Sequence, residues 1–194
     1  VSEQQPKKTR GRPRATDAES IGSAAFELFL ERGFTDTTMA DIAAAAGISS
    51  PTLFRYFSSK SAILWSHYAE NVASFERFLQ RYGAEVPVVD AVFGAYRSML
   101  LERPASLPLI KARVALVSRE ADEVGGMWAH YTTWSTSIAA FLAGRTGGGA
   151  DDLENVVVSG ALWSGLWGAI VTWALSDEEL PDAVLERARV ILTL

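Results

Sequence analysis

Along the whole of this chain apolar residues recur three and four positions apart, and nowhere do apolar and polar residues alternate as in a half-buried strand. That regularity points to an all-α fold. The 194 residues are 48% apolar and 21% charged, near globular averages, so the helices have enough apolar surface to close around a core. Cysteine is absent, and His67 and His130 are the two histidines. Disulfide scaffolds, thiolate metal sites, iron–sulfur ligation and a cysteine nucleophile are thereby excluded. No metal, cofactor or catalytic residue is expected, and an enzyme is a poor fit.

Capping residues, glycines and prolines divide the chain into about nine helices. The first is expected to open at a capping box, Thr16 with Glu19, and to stop at Gly33. A second starts near Thr38, has Asp41 three residues on, and ends at Gly47. A short third opens at Ser50-Pro51, capping residue then first-turn proline, and reaches Phe57. Ser58 or Ser59 then caps a long fourth helix expected to run to about Tyr82. Further helices are placed at about 87–101, 107–118, 121–143, 152–175 and 181–193. The Gly147-Gly148-Gly149 run reads as an interhelical loop, because no Lys-Ser/Thr follows it as in a phosphate loop. Three regions result: a basic arm at 1–15, a three-helix head at 16–62 and a helical body at 63–194.

Residues 37–57 have the pattern of a helix-turn-helix. Ala43, Ala46, Gly47 and Ile48 give a small packing face followed by a glycine suited to a tight turn. On the short third helix Leu53 and Phe57 share one face, which docks. Pro51, Thr52 and Arg55 point away, with Phe54 and Tyr56 on the flanks. Hydroxyls, a cation and a planar ring on a bare helix face suit phosphate oxygens and base edges in a major groove. For Phe54 and Tyr56, packing within the head is the alternative reading.

The stretch from Thr38 to Lys60, Thr-Met-Ala-Asp-Ile-Ala-Ala-Ala-Ala-Gly-Ile-Ser-Ser-Pro-Thr-Leu-Phe-Arg-Tyr-Phe-Ser-Ser-Lys, resembles the DNA-binding domain of tetracycline-repressor (TetR) family regulators. Phe29 and Glu31 to Phe34 in the first helix match as well, and the likeness covers about residues 16–65. The resemblance implies a homodimer on a palindromic double-stranded DNA operator and an all-α body that releases DNA when a small molecule binds. By position it implies a phosphate contact from Thr38, base or phosphate contacts from Ser49, Ser50, Pro51, Thr52, Phe54 and Tyr56, and a backbone clamp from Lys60. Arg55 stands where the family often has an aromatic residue, and is expected to read a guanine or a phosphate.

Charge is unevenly spread. The first fourteen residues carry five basic groups against Glu3, whereas residues 61–194 carry ten basic and sixteen acidic groups. Lys7 to Arg14 contains Arg10-Gly11-Arg12-Pro13-Arg14 and is similar to an AT-hook, whose arginines enter a narrow, electronegative minor groove. Arg10, Arg12 and Arg14 are therefore candidate DNA contacts, and the arm is expected to be disordered without DNA. No secretory signal is recognisable in the polar first fifteen residues, and a cytoplasmic location is expected.

In the body, five of six tryptophans lie between 128 and 173. Trp128, Trp134, Trp163 and Trp167, with Phe75, Phe78, Phe93, Tyr96, Leu109, Met127 and Tyr131, are candidates for an apolar ligand cavity, a tryptophan-rich core being the alternative. Arg113 falls on the stripe of Leu109 and Leu116. A cation there implies a carboxylate partner, an anionic ligand group, or a side chain that reaches out to solvent. His130 is expected to pack or cap locally. Residues 156–175 contain no charge over a length that could span a bilayer. Their small residues repeat every four positions (Gly160, Ser164, Gly168, Thr172), and neither flank has a Lys/Arg bias. A dimer helix, joined by Val184, Ala188 and Ile191 of the last helix, is favoured over a membrane anchor.

The expectation is a ligand-responsive repressor. Its regulatory half is faintly similar to family members that sense acyl-CoA thioesters, such as the mycofactocin-system regulators. The alternatives are an architectural A·T-rich DNA binder without an effector, and an enzyme or ligand carrier using the head as scaffold.

Overall fold

A computed structural model describes residues 17–120 and 126–193. Within them the secondary structure is helical and no strand occurs. The head holds α1 (Ala18–Arg32), α2 (Met39–Ala45) and α3 (Ser50–Tyr56). The connection to the body runs through α4 (Lys60–Leu64) into α5 (Tyr68–Leu79). The body continues with α6 (Val88–Leu101), a 3-10 turn (Pro104–Ser106), α7 (Leu107–Arg119), α8 (Met127–Thr146), α9 (Leu153–Ala174) and α10 (Asp182–Ile191).

Three expectations about boundaries change. Helix α1 is capped by Asp17, whose carboxylate accepts from the Ser20 amide at 2.8 Å while the Asp17 amide donates to the Ser20 hydroxyl; Thr16 lies outside the described residues. The cap of α3 is Ser49 rather than Ser50, and its hydroxyl accepts from the Thr52 amide. The long fourth helix is interrupted at Trp65–His67, which gives ten α-helices among the described residues against about nine expected for the chain. Apolar periodicity continues through a break of three residues, so spacing alone does not register it.

Two cores form. One joins Ile21, Ala25, Phe26 and Phe29 of α1 to Ile42, Leu53, Ile63 and Leu64. The other fills the body around Phe75, Tyr96, Trp134, Ile138, Trp163, Leu166, Ile170 and Trp173. Helix α7 belongs to both: Leu107 and Val114 face the body core, whereas Leu116 and Val117 complete the core of the head. A helix shared in this way cannot shift without disturbing the other side, because close-packed interiors transmit displacement rather than absorb it.

Candidate functional site

The head offers one bare face. Leu53 is fully buried and Phe57 nearly so, anchoring α3, while Pro51, Phe54, Arg55 and Tyr56 are exposed on the other side. Phe54 is 54% exposed, so it does not pack the head as the alternative reading had it. Ser49 and Ser50 flank the N-terminus of α3, and the Ser49 and Thr52 hydroxyls lie 2.8 Å apart. Thr38 closes the N-terminus of α2 through a reciprocal box with Asp41: the Thr38 amide donates to the carboxylate at 2.9 Å and the Asp41 amide to the Thr38 hydroxyl at 3.1 Å. Hydrogen bonds from the Thr38 side chain and then its amide hold the Asp41 carboxyl below the ordinary range. Gly47 turns the chain between α2 and α3 at φ +67°, a backbone conformation costly for any side chain. Arg10, Arg12 and Arg14 lie outside the described residues.

Lys60 contacts the head's own turn. Its ammonium donates to the carbonyls of Phe34 and Thr35 and sits 4.6 Å from the centroid of the Phe34 ring. From the body side, Glu120 at the end of α7 accepts from the amides of Phe34, at 3.1 Å, and Thr35, at 3.3 Å. The turn leading into the helix-turn-helix is thus gripped on its carbonyls by Lys60 and on its amides by Glu120.

Below this turn α4 to α9 enclose a cavity of about 170 Å³. Trp65 and Tyr68 enter it from the α4–α5 junction, Tyr96 and Met99 from α6, Ile110 and Arg113 from α7, Met127, His130, Tyr131 and Trp134 from α8, and Trp163 and Trp167 from α9. Trp134 and Trp163 stack with centroids 4.8 Å apart and planes 5° apart. The His130 ring lies 3.7 Å from Trp65 and 3.9 Å from Tyr68. Burial lowers His130 to about 4, so its imidazole is neutral at pH 7. The Tyr68 hydroxyl donates to the His130 carbonyl, and burial raises that phenol to about 12.

Arg113 is the one charged side chain among the described lining residues. Its Nε is buried and has no hydrogen-bond partner among the described residues. Its guanidinium carbon lies 5.6 Å from the Phe26 centroid in α1. Burial lowers its pKa from the ordinary arginine value. It therefore pairs with no described carboxylate, and although the residue as a whole is half-buried its Nε is shut off from solvent.

Five of the residues proposed for the cavity lie elsewhere. Phe75 is wholly buried against Trp134 and Tyr96 in the core. Phe78 packs on the core edge under Arg77 and Arg81. Phe93 is buried toward α10, Leu109 is 41% exposed, and Trp128 is 75% exposed, stacked on the outside of Tyr131. Trp65, Tyr68 and His130 were missed. Tyr68 could have been found, since Leu64, Tyr68 and Asn71 stand at i, i+4 and i+7, whereas Trp65 sits at the break between α4 and α5. His130 could have been found, since Met127, His130, Tyr131 and Trp134 form one helical stripe.

On α9 the side turned from the core exposes Leu153, Val157, Ala161, Ser164, Gly168, Thr172 and Leu175. A Cβ built on Gly168 meets nothing within 4 Å. Gly160 instead lies under the Tyr131 hydroxyl, which donates to its carbonyl at 3.3 Å. Val184 and Ala188 are half-buried along the edge of the chain's own core, whereas Ile191 is 66% exposed. Asp152 caps no amide of α9; its carboxylate accepts from the Gly149 amide and closes the glycine loop. Helix α9 is the one described helix long and apolar enough to cross a membrane, with 39% of its most apolar window buried.

A helix-turn-helix head locked to a helical body with an aromatic cavity is the build of a DNA-binding regulator that responds to small molecules. The chain belongs to the TetR family: residues 21–65 match the bacterial regulatory proteins of the tetR family, and residues 86–193 match the MftR C-terminal domain. It is 31% identical, over 170 residues, to a Mycobacterium tuberculosis protein assigned as the mycofactocin biosynthesis transcriptional regulator MftR, covering 88% of this chain and 85% of that one. In structure it is similar to Thermus thermophilus FadR, a TetR-family repressor in complex with lauroyl-CoA (TM-score 0.60, 23% identity, 91% and 93% of the two chains). It is likewise similar to the fatty acid degradation regulator FadR of Bacillus halodurans (TM-score 0.62, 17% identity, 93% and 96%).

Proposed function

We propose that this protein is a homodimeric repressor that holds a palindromic operator with two copies of α3 and releases it when a small amphipathic molecule enters the cavity. The observation that carries this reading is the position of α7, which lines the cavity with Ile110, Arg113, Val114 and Val117 and completes the core of the head with Leu116 and Val117. An occupant that moves α7 also moves the turn held by Glu120, and with it the spacing between recognition helices. Ser49, Ser50, Thr52, Arg55 and Tyr56 are assigned to the major groove, Thr38 to a phosphate, and the arm's arginines to the flanking minor groove. Lys60, with two of its three N–H donors on the Phe34 and Thr35 carbonyls, is assigned a phosphate for the third.

A second copy of the chain is the proposed cover for the α9 face. Its exposed residues are apolar or small and let a partner helix approach closely, and acidic flanks at 151–154 and 177–179 do not suit an anionic bilayer surface. Acyl-CoA thioesters are the first effector class to try, given the lauroyl-CoA bound by the Thermus relative. Such a regulator acts on DNA in the cytoplasm.

Fluorescence anisotropy on the protein's own upstream DNA and on a scrambled duplex, over a salt series, tests the reading. A strong preference for the upstream site, lost on adding lauroyl-CoA, is the expected result. Equal affinity for both duplexes would favour the architectural A·T-rich binder, and no binding at low salt would refute a DNA-binding role.

A further inference from the structure

The lining of the cavity is electrically one-sided. Among the described residues around it there is one cation, Arg113, and no carboxylate. His130 adds no charge at pH 7, and burial pushes the Tyr68 and Tyr96 hydroxyls away from ionisation. Arginine does not shed its proton in proteins, so the guanidinium is charged and incompletely hydrogen-bonded beside a void walled by aromatic rings. A cation desolvated on its Nε side is costly there unless something pairs with that donor. Its described partner is the face of Phe26, which attracts a cation but satisfies none of its N–H donors.

We propose that the effector carries an oxyanion, carboxylate or phosphate, that hydrogen-bonds to Arg113 while its apolar part lies against Trp134, Trp163 and Tyr96. This inference rests on the cavity being the effector site and narrows the effector's chemistry: neutral and cationic lipophiles are excluded. The cavity volume of about 170 Å³ is close to that of an engineered cavity, roughly 150 Å³, that accepts benzene. The apolar part that fits without rearrangement is therefore a single ring or a short acyl chain. Two sources supply such an anion: a free carboxylic acid, which fits with its carboxylate on Arg113, and an acyl-CoA, which would place a phosphate there only with its acyl chain, a pantetheine arm away, outside the present cavity.

The same residue links the site to the head. An oxyanion competes with the Phe26 face for the guanidinium, and a bidentate carboxylate is the better partner. Two turns further along α7, Glu120 holds the amides of Phe34 and Thr35. Binding at Arg113 therefore loosens one contact of α7 with the head and displaces the helix that carries the other. Arg113 is on this reading a ligand-binding residue that also positions α7.

The test uses the full-length protein and four six-carbon probes, hexanoate, hexanoyl-CoA, hexan-1-ol and hexylamine. Tryptophan emission and isothermal titration report binding, and operator anisotropy reports release. Hexanoate or hexanoyl-CoA is expected to bind roughly 10- to 100-fold more tightly than hexan-1-ol, as the loss of a charge-assisted hydrogen bond would give. Arg113→Met should erase that advantage while leaving hexan-1-ol affinity unchanged, and Arg113→Lys should restore part of it. The Met variant should fold, since an apolar isostere removes a desolvated charge. Preference for hexanoate over hexanoyl-CoA assigns the anion as a free carboxylate, and the reverse order assigns it as a phosphate. Equal binding of hexan-1-ol, an unaffected Arg113→Met, or binding of none of the four overturns the proposal. If the acids bind through Arg113 without releasing the operator, the effector reading fails and the anion site stands. If hexan-1-ol releases the operator as well as the acids do, the anion site fails and the effector reading stands.

Discussion

The head and the body solve opposite problems with the same helices. Every helix of the head opens on a side-chain cap (Asp17, Thr38 and Ser49), and its core residues Ile21, Ala25, Ile42 and Leu53 are completely enclosed. The body keeps a void at its centre and leaves Arg113 Nε, Arg145 Nη1 and Trp173 Nε1 buried without described partners. None of its helices from α5 onward has a side-chain hydrogen bond at its N-cap. A domain that must match a fixed groove benefits from a single, fully satisfied packing. One that must admit a guest retains unsatisfied donors and space, which a ligand then fills.

The sharpest way to break this contrast is to remove the anchor of α3. Leu53→Ala opens a cavity at a fully enclosed position and should cost about 2–5 kcal/mol, enough to unfold a three-helix head. Of the six tryptophans, Trp65 and Trp167 border the core of the head, whereas Trp128, Trp134, Trp163 and Trp173 do not. Far-UV circular dichroism should therefore show a lowered first transition in which tryptophan emission changes only in part, with the main emission change at a later transition. A single shared transition would mean that α7 welds the two cores into one cooperative unit.

Substitution on the exposed face of α3 leaves the fold alone and tests chemistry. Arg55→Ala removes an exposed cation at no packing cost and should weaken operator binding by about 1–3 kcal/mol. Competition titrations with single base changes in the operator separate its roles. A guanine reader relaxes specificity at one position, whereas a phosphate contact weakens all sequences alike and flattens the salt dependence.

The two regions also differ in how much of them the sequence displays. Helix-turn-helix geometry is local: Thr38 and Asp41, Gly47, and the spacing from Leu53 to Phe57 each act within one turn of helix, so linear spacing reveals them. The ends of α6, α7, α9 and α10 are legible to within a few residues for the same reason, whereas the starts of α5 and α8 are not. The cavity is a product of six helices meeting, and spacing reports only that a residue faces inward, not whether it meets a neighbour or a void. Phe75 and Trp134 look alike in sequence, yet one is core and the other is wall. Leu109 and Arg113, read as one stripe, diverge because α7 ends one core and begins another. The exposure of Trp128 and the turn of Trp65 depend on partners far along the chain, which no local pattern encodes.

Glu120 tests the joint between the regions. Glu120→Gln keeps the shape but weakens the two charge-assisted bonds from the Phe34 and Thr35 amides, at a cost of about 1 kcal/mol. Effector affinity should stay the same while the effector's leverage on operator affinity shrinks severalfold, measured as operator affinity with and without saturating lauroyl-CoA. Equal leverage in the variant would place the joint in apolar contacts of Leu116 and Val117 alone.

The smallest effect separates the regions by acid. Burial lowers His130 to about 4 from an ordinary 6.5, so the folded body favours the neutral ring. Its stabilising contribution is complete above pH 6.5 and is lost progressively as pH falls toward 4, because the unfolded chain takes up the proton first. In the head the lowered carboxyls are Asp17, held by the Ser20 amide and then its hydroxyl, and Asp41, held by Thr38. Their contribution is present above the ordinary carboxyl value of 3.8 and disappears only below it. Between pH 6.5 and 4 the body should therefore soften while the head does not. Denaturant midpoints read by tryptophan emission should fall across that window, and hydrogen-exchange protection of the amides of α1 to α3 should hold. His130→Gln should flatten the emission series. An unchanged fall in that variant would assign the acid sensitivity to another group and remove His130 from the account of why the cavity wall is the softer side.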